Sequence, residues 1–171
     1  LFPKGAGRFY SEDLQLNENG DTVFTLLGDQ GSTTAHYVAN SYVLWTTTGD
    51  IDSDGADELI ISTLSGELRI LETGLTETYR TKVPKLYSDS EAAELHIYPE
   101  AIGDFDGDGE IELVTRISEV VTLYENTSTD HQRPSTKSLF FHPRLVVFDC
   151  ELRPTAQFVF QEVWTESYDF R

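Results

Sequence analysis

Apolar residues along this chain fall in short runs that alternate with polar positions, separated by clusters of Gly, Asp, Asn, Ser and Pro. A 3.6-residue period is almost absent, so the pattern is one of strands and turns. It predicts strands at Thr22–Leu27, Ser41–Thr46, Leu59–Thr63, Glu67–Glu72, Thr76–Val83, Glu94–Tyr98, Leu113–Ile117, Val120–Glu125, Leu145–Cys150 and Ala156–Trp164. In one of them Leu68 and Ile70 alternate with Glu67 and Arg69, as in a strand with one face buried and the other solvated. The one helical candidate, Asp89–Leu95, is too short to compete with the strand signals around it. The expected fold class is all-β.

The runs repeat. Gly49-Asp50-Ile51-Asp52-Ser53-Asp54-Gly55-Ala56-Asp57-Glu58-Leu59-Ile60 aligns with Gly103-Asp104-Phe105-Asp106-Gly107-Asp108-Gly109-Glu110-Ile111-Glu112-Leu113-Val114, an offset of 54 residues. Downstream, Ser65–Glu72 and Ser118–Glu125 both read as a turn followed by an alternating strand that ends in Glu. Upstream, each acidic loop follows a strand. The unit is therefore strand, acidic loop, strand, turn, strand, with a fourth strand such as Thr76–Val83. Four short antiparallel strands per unit of this length is the build of a propeller blade. Blades are expected at about residues 40–85 and 93–138, with partial elements at 1–39 and 139–171, all within one domain or a fragment of one. A propeller needs at least four blades, so the ring is expected to be incomplete within 171 residues. The missing contacts would come from other protein chains or from the remainder of a longer polypeptide. The polar segment Asn126–Ser138, which holds Pro134, reads as an exposed excursion between strands.

The acidic loops carry the chemistry. Calcium takes six to eight oxygen ligands at about 2.3–2.6 Å in a flexible shell. Acidic residues at loop positions one, three and five can point into one concavity when the backbone curls around it. Gly55 and Gly109, at position six, permit the sharp turn that a Cβ would resist. Position seven, Ala56 or Glu110, offers its backbone carbonyl, and Glu58 or Glu112 at position nine closes the shell. An EF-hand would instead close with a carboxylate at position twelve and enter a helix. Here position twelve is Ile61 or Thr115, and both loops run into β-rich sequence. Read singly, either loop is an ordinary acidic turn, since Asp and Gly favour turns; two copies in the same strand context favour a cation.

Charge adds to this picture. Thirty Asp and Glu oppose twelve Lys and Arg, for a formal charge of −18. Such a surface repels phosphate backbones and anionic headgroups, which argues against nucleic acid and membrane insertion as modes of action. No apolar run reaches the roughly 18 residues of a membrane-spanning helix. Met is absent and the chain starts at Leu1, which reads as a processed chain or a piece of a longer one. The single cysteine, Cys150, excludes an internal disulfide framework and a multi-cysteine zinc site, and reads as a small strand residue. His36, His96, His131 and His142 lack metal-ligand spacing, and no Gly-x-Ser-x-Gly elbow is present. Trp45, Trp164, Phe158 and Phe160 read as core or inter-blade packing more than as a sugar platform. Asn126-Thr127-Ser128 has the pattern of an N-glycosylation acceptor.

Over about ninety residues, from Ser41 to roughly Glu125, the two segments resemble FG-GAP/VCBS repeats, found in integrin-type propellers and many secreted bacterial proteins. In that family the acidic loop joins two strands of one blade and binds calcium. The resemblance implies two Ca2+ sites, one ligated by Asp50, Asp52, Asp54, Ala56 and Glu58, the other by Asp104, Asp106, Asp108, Glu110 and Glu112. Glu at position nine departs from the Asp commoner in the family, and no Phe-Gly-Gly-Ala-Pro-like sequence is evident. The function implied is a non-enzymatic, calcium-stabilised module of a secreted or cell-surface protein, serving binding, adhesion or structural assembly, with a protein or a glycan as candidate ligand. The alternative is the propeller portion of a secreted carbohydrate-active enzyme, a polysaccharide lyase or hydrolase.

Overall fold

The chain was analysed as a computed structural model that describes residues 15–27, 33–86, 94–125, 135–160 and 163–168. Among the described residues every regular element is a strand, and the twelve strands form three antiparallel sheets. The first sheet holds β1 (Gln15–Leu16), β2 (Thr22–Leu27) and β3 (Thr33–Val38) in the order β1-β2-β3. The second is a meander of β4 (Val43–Gly49), β5 (Glu58–Thr63), β6 (Glu67–Glu72) and β7 (Thr76–Lys82). The third contains β8 (Glu94–Gly103), β9 (Glu112–Glu125), β10 (Ser135–Phe148) and β11 (Pro154–Val159), joined in sequence order, while β12 (Val163–Tyr168) pairs with β10. None of the sheets closes into a barrel, and no helix among the described residues is long and apolar enough to cross a membrane.

The three sheets pack in series, because the second has two apolar faces. Leu59, Ile61, Leu71 and Leu75 join Phe24 and Ala39 in one buried cluster, against the first sheet. Ile60, Leu68 and Ile70 point the other way and meet Leu95, Ile97, Leu113, Ile117, Val146 and Phe148 of the third. The period of two along a strand makes this possible: in β5 successive residues serve opposite faces, and all six are buried. Hydrogen bonds tie the layers as well. Thr22 Oγ1 accepts from Val43 N–H at 2.9 Å, and Ser62 Oγ donates to Ile97 O at 2.7 Å. Arg69, expected on a solvated face, is buried. Its guanidinium donates to Tyr37 Oη at 2.6 Å and to Glu67 at 2.5 Å, and the Tyr37 hydroxyl donates to Glu77. A buried guanidinium must be paired or it costs several kcal/mol; here the first sheet supplies part of the pairing.

The third sheet departs from the sequence reading. The runs at Leu113–Ile117 and Val120–Glu125 are one strand, and Ser118 lies inside β9 with no turn. The run Ala156–Trp164 is instead divided between β11 and β12, and Cys150 sits in the turn after β10, against the core, and not in a strand. Residues 89–93 of the helical candidate lie outside the described residues, and Glu94 and Leu95 begin β8. The sequon at Asn126 and the excursion up to Pro134 also lie outside them, whereas 135–138 belong to β10.

The merging of two runs into β9 and the placing of Cys150 in a turn follow from an insertion. The β10–β11 turn repeats the β6–β7 turn: Leu75 N–H donates to Glu72 O at 2.9 Å with Leu75 at φ 63°, and Leu152 N–H donates to Asp149 O at 3.0 Å with Leu152 at φ 59°. Likewise Val83 N–H donates to Gly66 O, and Phe160 N–H to Pro143 O. The offset is 54 residues at the loops but 77 at these turns, so 23 residues are inserted between, as an extension of the β9–β10 hairpin. An irregularity in pairing at Phe141 and Arg144 marks its base.

The same equivalence shows an open face. Ile51 and Val83 of the second sheet are 2% and 5% exposed because the third sheet covers them. Their counterparts in the third sheet, Phe105 and Phe160, are 53% and 46% exposed, beside Phe158 at 62%. Phe158 and Phe160 are therefore not core residues of this chain. Trp45 is half-exposed and packs its ring on Tyr98 of the neighbouring sheet at 5.0 Å between centroids.

Candidate metal centres

Both acidic loops occupy the same place in their sheets, between first and second strands: β4 to β5 for residues 50–57, β8 to β9 for residues 104–111. The preceding strands approach closely there. A Cβ added at Gly49 would lie 2.7 Å from Ile102 Cδ1, so the Ile102 side chain packs against the bare glycine and would have to shift to admit a larger residue.

Inside each loop the side chains organise the backbone in one pattern. Gly55 N–H donates to Asp50 Oδ2 at 3.1 Å, Asp54 N–H to Asp52 Oδ1 at 3.1 Å, Ala56 N–H to Asp54 Oδ1 at 2.8 Å and Ile51 N–H to Glu58 Oε2 at 2.9 Å. In the second loop Gly109 N–H donates to Asp104 Oδ2 at 3.1 Å and Asp108 N–H to Asp106 Oδ1 at 3.1 Å. Glu110 N–H follows to Asp108 Oδ1 at 2.8 Å, and Phe105 N–H to Glu112 Oε2 at 2.7 Å. Position six has φ 92° at Gly55 and 91° at Gly109, the left-handed region in which a Cβ is strained. Two sequences that differ at positions two, four, seven and eight thus share these four side-chain-to-backbone hydrogen bonds.

The carboxylates are grouped closely enough that they could hold a metal ion. Asp104, Asp106, Asp108 and Glu112 each place an oxygen within 4.8 Å of the others. That spacing is about twice a calcium–oxygen distance, the span across one coordination shell. In the first loop Asp50, Asp52 and Glu58 form one such group, and Asp52 and Asp54 form a second with Glu72, at the end of β6. Ala56 and Glu110 donate their backbone N–H groups to Asp54 and Asp108, and the Glu110 carboxylate is exposed and outside the group. Glu72 was not a sequence candidate. Its signal is register: β5 and β6 pair Leu59 with Leu71, so Glu58 and Glu72 stand one step beyond.

Burial gives the first loop an electrostatic debt. Glu58 is fully buried, yet its Oε1 and the Asp50 Oδ1 have no hydrogen-bond partner. Loss of solvent, reinforced by Asp52, Glu72 and Asp54, outweighs the Ile51 N–H and pushes the Glu58 carboxyl up to about 7. Glu72 is raised too, first by burial and then by Asp52 and Asp54. Buried, unpaired carboxylate oxygens are costly unless a cation compensates them. An all-oxygen set with neither imidazole nor thiolate suits a hard cation such as calcium and not zinc.

In the third sheet the counterpart of Glu72 is Asp149, one step beyond the Leu113–Phe148 pair. Asp149 turns away from cation duty. Burial alone would raise it, but Arg153 N–H, the Arg153 guanidinium at 2.7 Å and Glu151 N–H hold it low.

No protein-family model matches the chain, and no curated protein or solved structure matches it either.

Proposed function

We propose that this chain is a calcium-stabilised repeat module, similar in kind to FG-GAP/VCBS repeats, whose second and third sheets act as neighbouring propeller-type blades with one structural Ca2+ in each acidic loop. The observation that carries the reading is the duplicated hydrogen-bond pattern around converging carboxylates, with buried oxygens of Asp50 and Glu58 left unpartnered. Calcium there neutralises crowded like charges and fixes the hairpin that joins the first two strands of each sheet. The role is binding, adhesion or assembly in a secreted or cell-surface protein, without catalysis. Extracellular calcium modules have dissociation constants of about 10⁻⁴–10⁻³ M, which suits a millimolar supply. At free calcium ten times the constant each site adds roughly 1.4 kcal/mol of stability.

Partners fit the open face of the third sheet. Phe105 and Phe160 stand where the second sheet carries Ile51 and Val83, covered by its neighbour, and Phe158 is exposed beside them, so a further sheet, from another chain or from more of the same polypeptide, is the occupant this reading requires.

Calorimetric titration of the metal-stripped chain with calcium tests the assignment. Two sites are expected; Asp52→Ala should remove one and Asp106→Ala the other, with magnesium competing poorly because it dehydrates reluctantly. An unchanged titration in either variant refutes the site it was meant to remove.

A further inference from the structure

The two centres differ in one respect that the duplicated loops do not foretell, and the inference rests on the calcium reading above. We infer that Glu72 is a ligand of the first centre, reaching it from β6, so that this ion is held by two separate elements of the second sheet, whereas the second ion is held by its own loop alone. A Glu72 carboxylate oxygen lies within 4.8 Å of oxygens of both Asp52 and Asp54. Asp52 in turn belongs to the group with Asp50 and Glu58. The independent sign that a cation belongs there is Glu58: fully buried, in the group that shares Asp52, with Oε1 lacking any hydrogen-bond partner. Glu72 stands one step beyond the Leu59–Leu71 pair, directly across from Glu58, so strand pairing holds it there.

At the second centre the corresponding residue is occupied. Asp149 accepts from the N–H groups of Glu151 and Arg153 and from the Arg153 guanidinium, and no group formed by Asp104, Asp106, Asp108 and Glu112 includes it. Affinity in oxygen-ligand sites follows the count of charged ligands. Bridged through Asp52, the two groups of the first centre, Asp50, Asp52, Glu58 and Asp52, Asp54, Glu72, together offer five carboxylates against the four of the second centre, so an ion that draws on both is the tighter held and also clamps the β6–β7 turn to the acidic loop.

The test isolates each centre by calcium calorimetry on metal-stripped protein. In a chain carrying Asp106→Ala, which leaves the first centre, adding Glu72→Gln is expected to weaken calcium binding about tenfold. In a chain carrying Asp52→Ala, which leaves the second, the same change is expected to do nothing. Melting curves in chelator check the fold: removing one of several crowded carboxylates should leave the metal-free protein as stable or more so. An unchanged first-centre constant overturns the inference, as does an affinity loss that comes with a lowered metal-free melting temperature, which marks a structural role. Failure of the unsubstituted chain to take up calcium is a different result, since it removes both centres and not Glu72 alone.

Discussion

At Glu58 a carboxylate is buried among Asp50, Asp52 and, across the strand pair, Glu72. Its folded-state value of about 7 lies above the ordinary 4.5, so the metal-free fold prefers it protonated. The contribution is then fully present below about pH 4.5 and is lost as the pH rises through about 7. In chelator, melting temperature should fall across that window, and Glu58→Gln should flatten the fall. Above pH 7 the variant should melt a few degrees higher than the parent, each 1 kcal/mol being worth about 2–4 °C at this size. With calcium present the order should reverse, because the variant loses a ligand. Parallel melting curves for the two proteins from pH 4 to 8 in chelator would show that Glu58 carries no such strain.

Among the elements, the β9–β10 hairpin is where reading the sequence failed, and the reason is physical. A constant offset reveals a repeat only while nothing is inserted, and 23 extra residues separate the loop of the third sheet from its β10–β11 turn. The first acidic segment and β5 to β7 were legible because their alternation and turns lie close together. The loops were legible because alternate acids before glycine admit few geometries. Glu72 was hidden, since a cross-strand neighbour is invisible until register is known, and so was the burial of Arg69, whose partner Tyr37 comes from another sheet. The extension is anchored by a second buried ion pair. Arg144 and Glu119 are both almost fully buried, 3.5 Å apart, with Arg144 donating to Pro84 O at 2.6 Å and Glu119 accepting from Leu86 N–H at 2.5 Å. Removing one partner of a buried pair costs about 3–5 kcal/mol, so Arg144→Ala should lower unfolding stability by that much in a denaturant titration. The exposed pair of Arg116 with Glu100 is the control: Arg116→Ala should cost under about 1 kcal/mol. Equal losses in the two variants would remove the hairpin's anchor from this explanation.

Over the whole molecule, three sheets stacked in series leave a face that the pattern of the second sheet would have covered. Apolar side chains are exposed there on a chain of charge −18, so burial against a further sheet and long-range repulsion oppose one another. Calcium bound as proposed would reduce that charge at both loops and shift the balance toward packed sheets. The central claim, one ion per acidic loop, is read most directly by native mass spectrometry of the chain in calcium and then in chelator. Two calcium ions per chain are expected at near-stoichiometric occupancy, lost together on chelation and not replaced by equal magnesium. A spectrum with no bound calcium, or with a smear of adducts that magnesium reproduces, would contradict the claim and leave both loops as acidic turns.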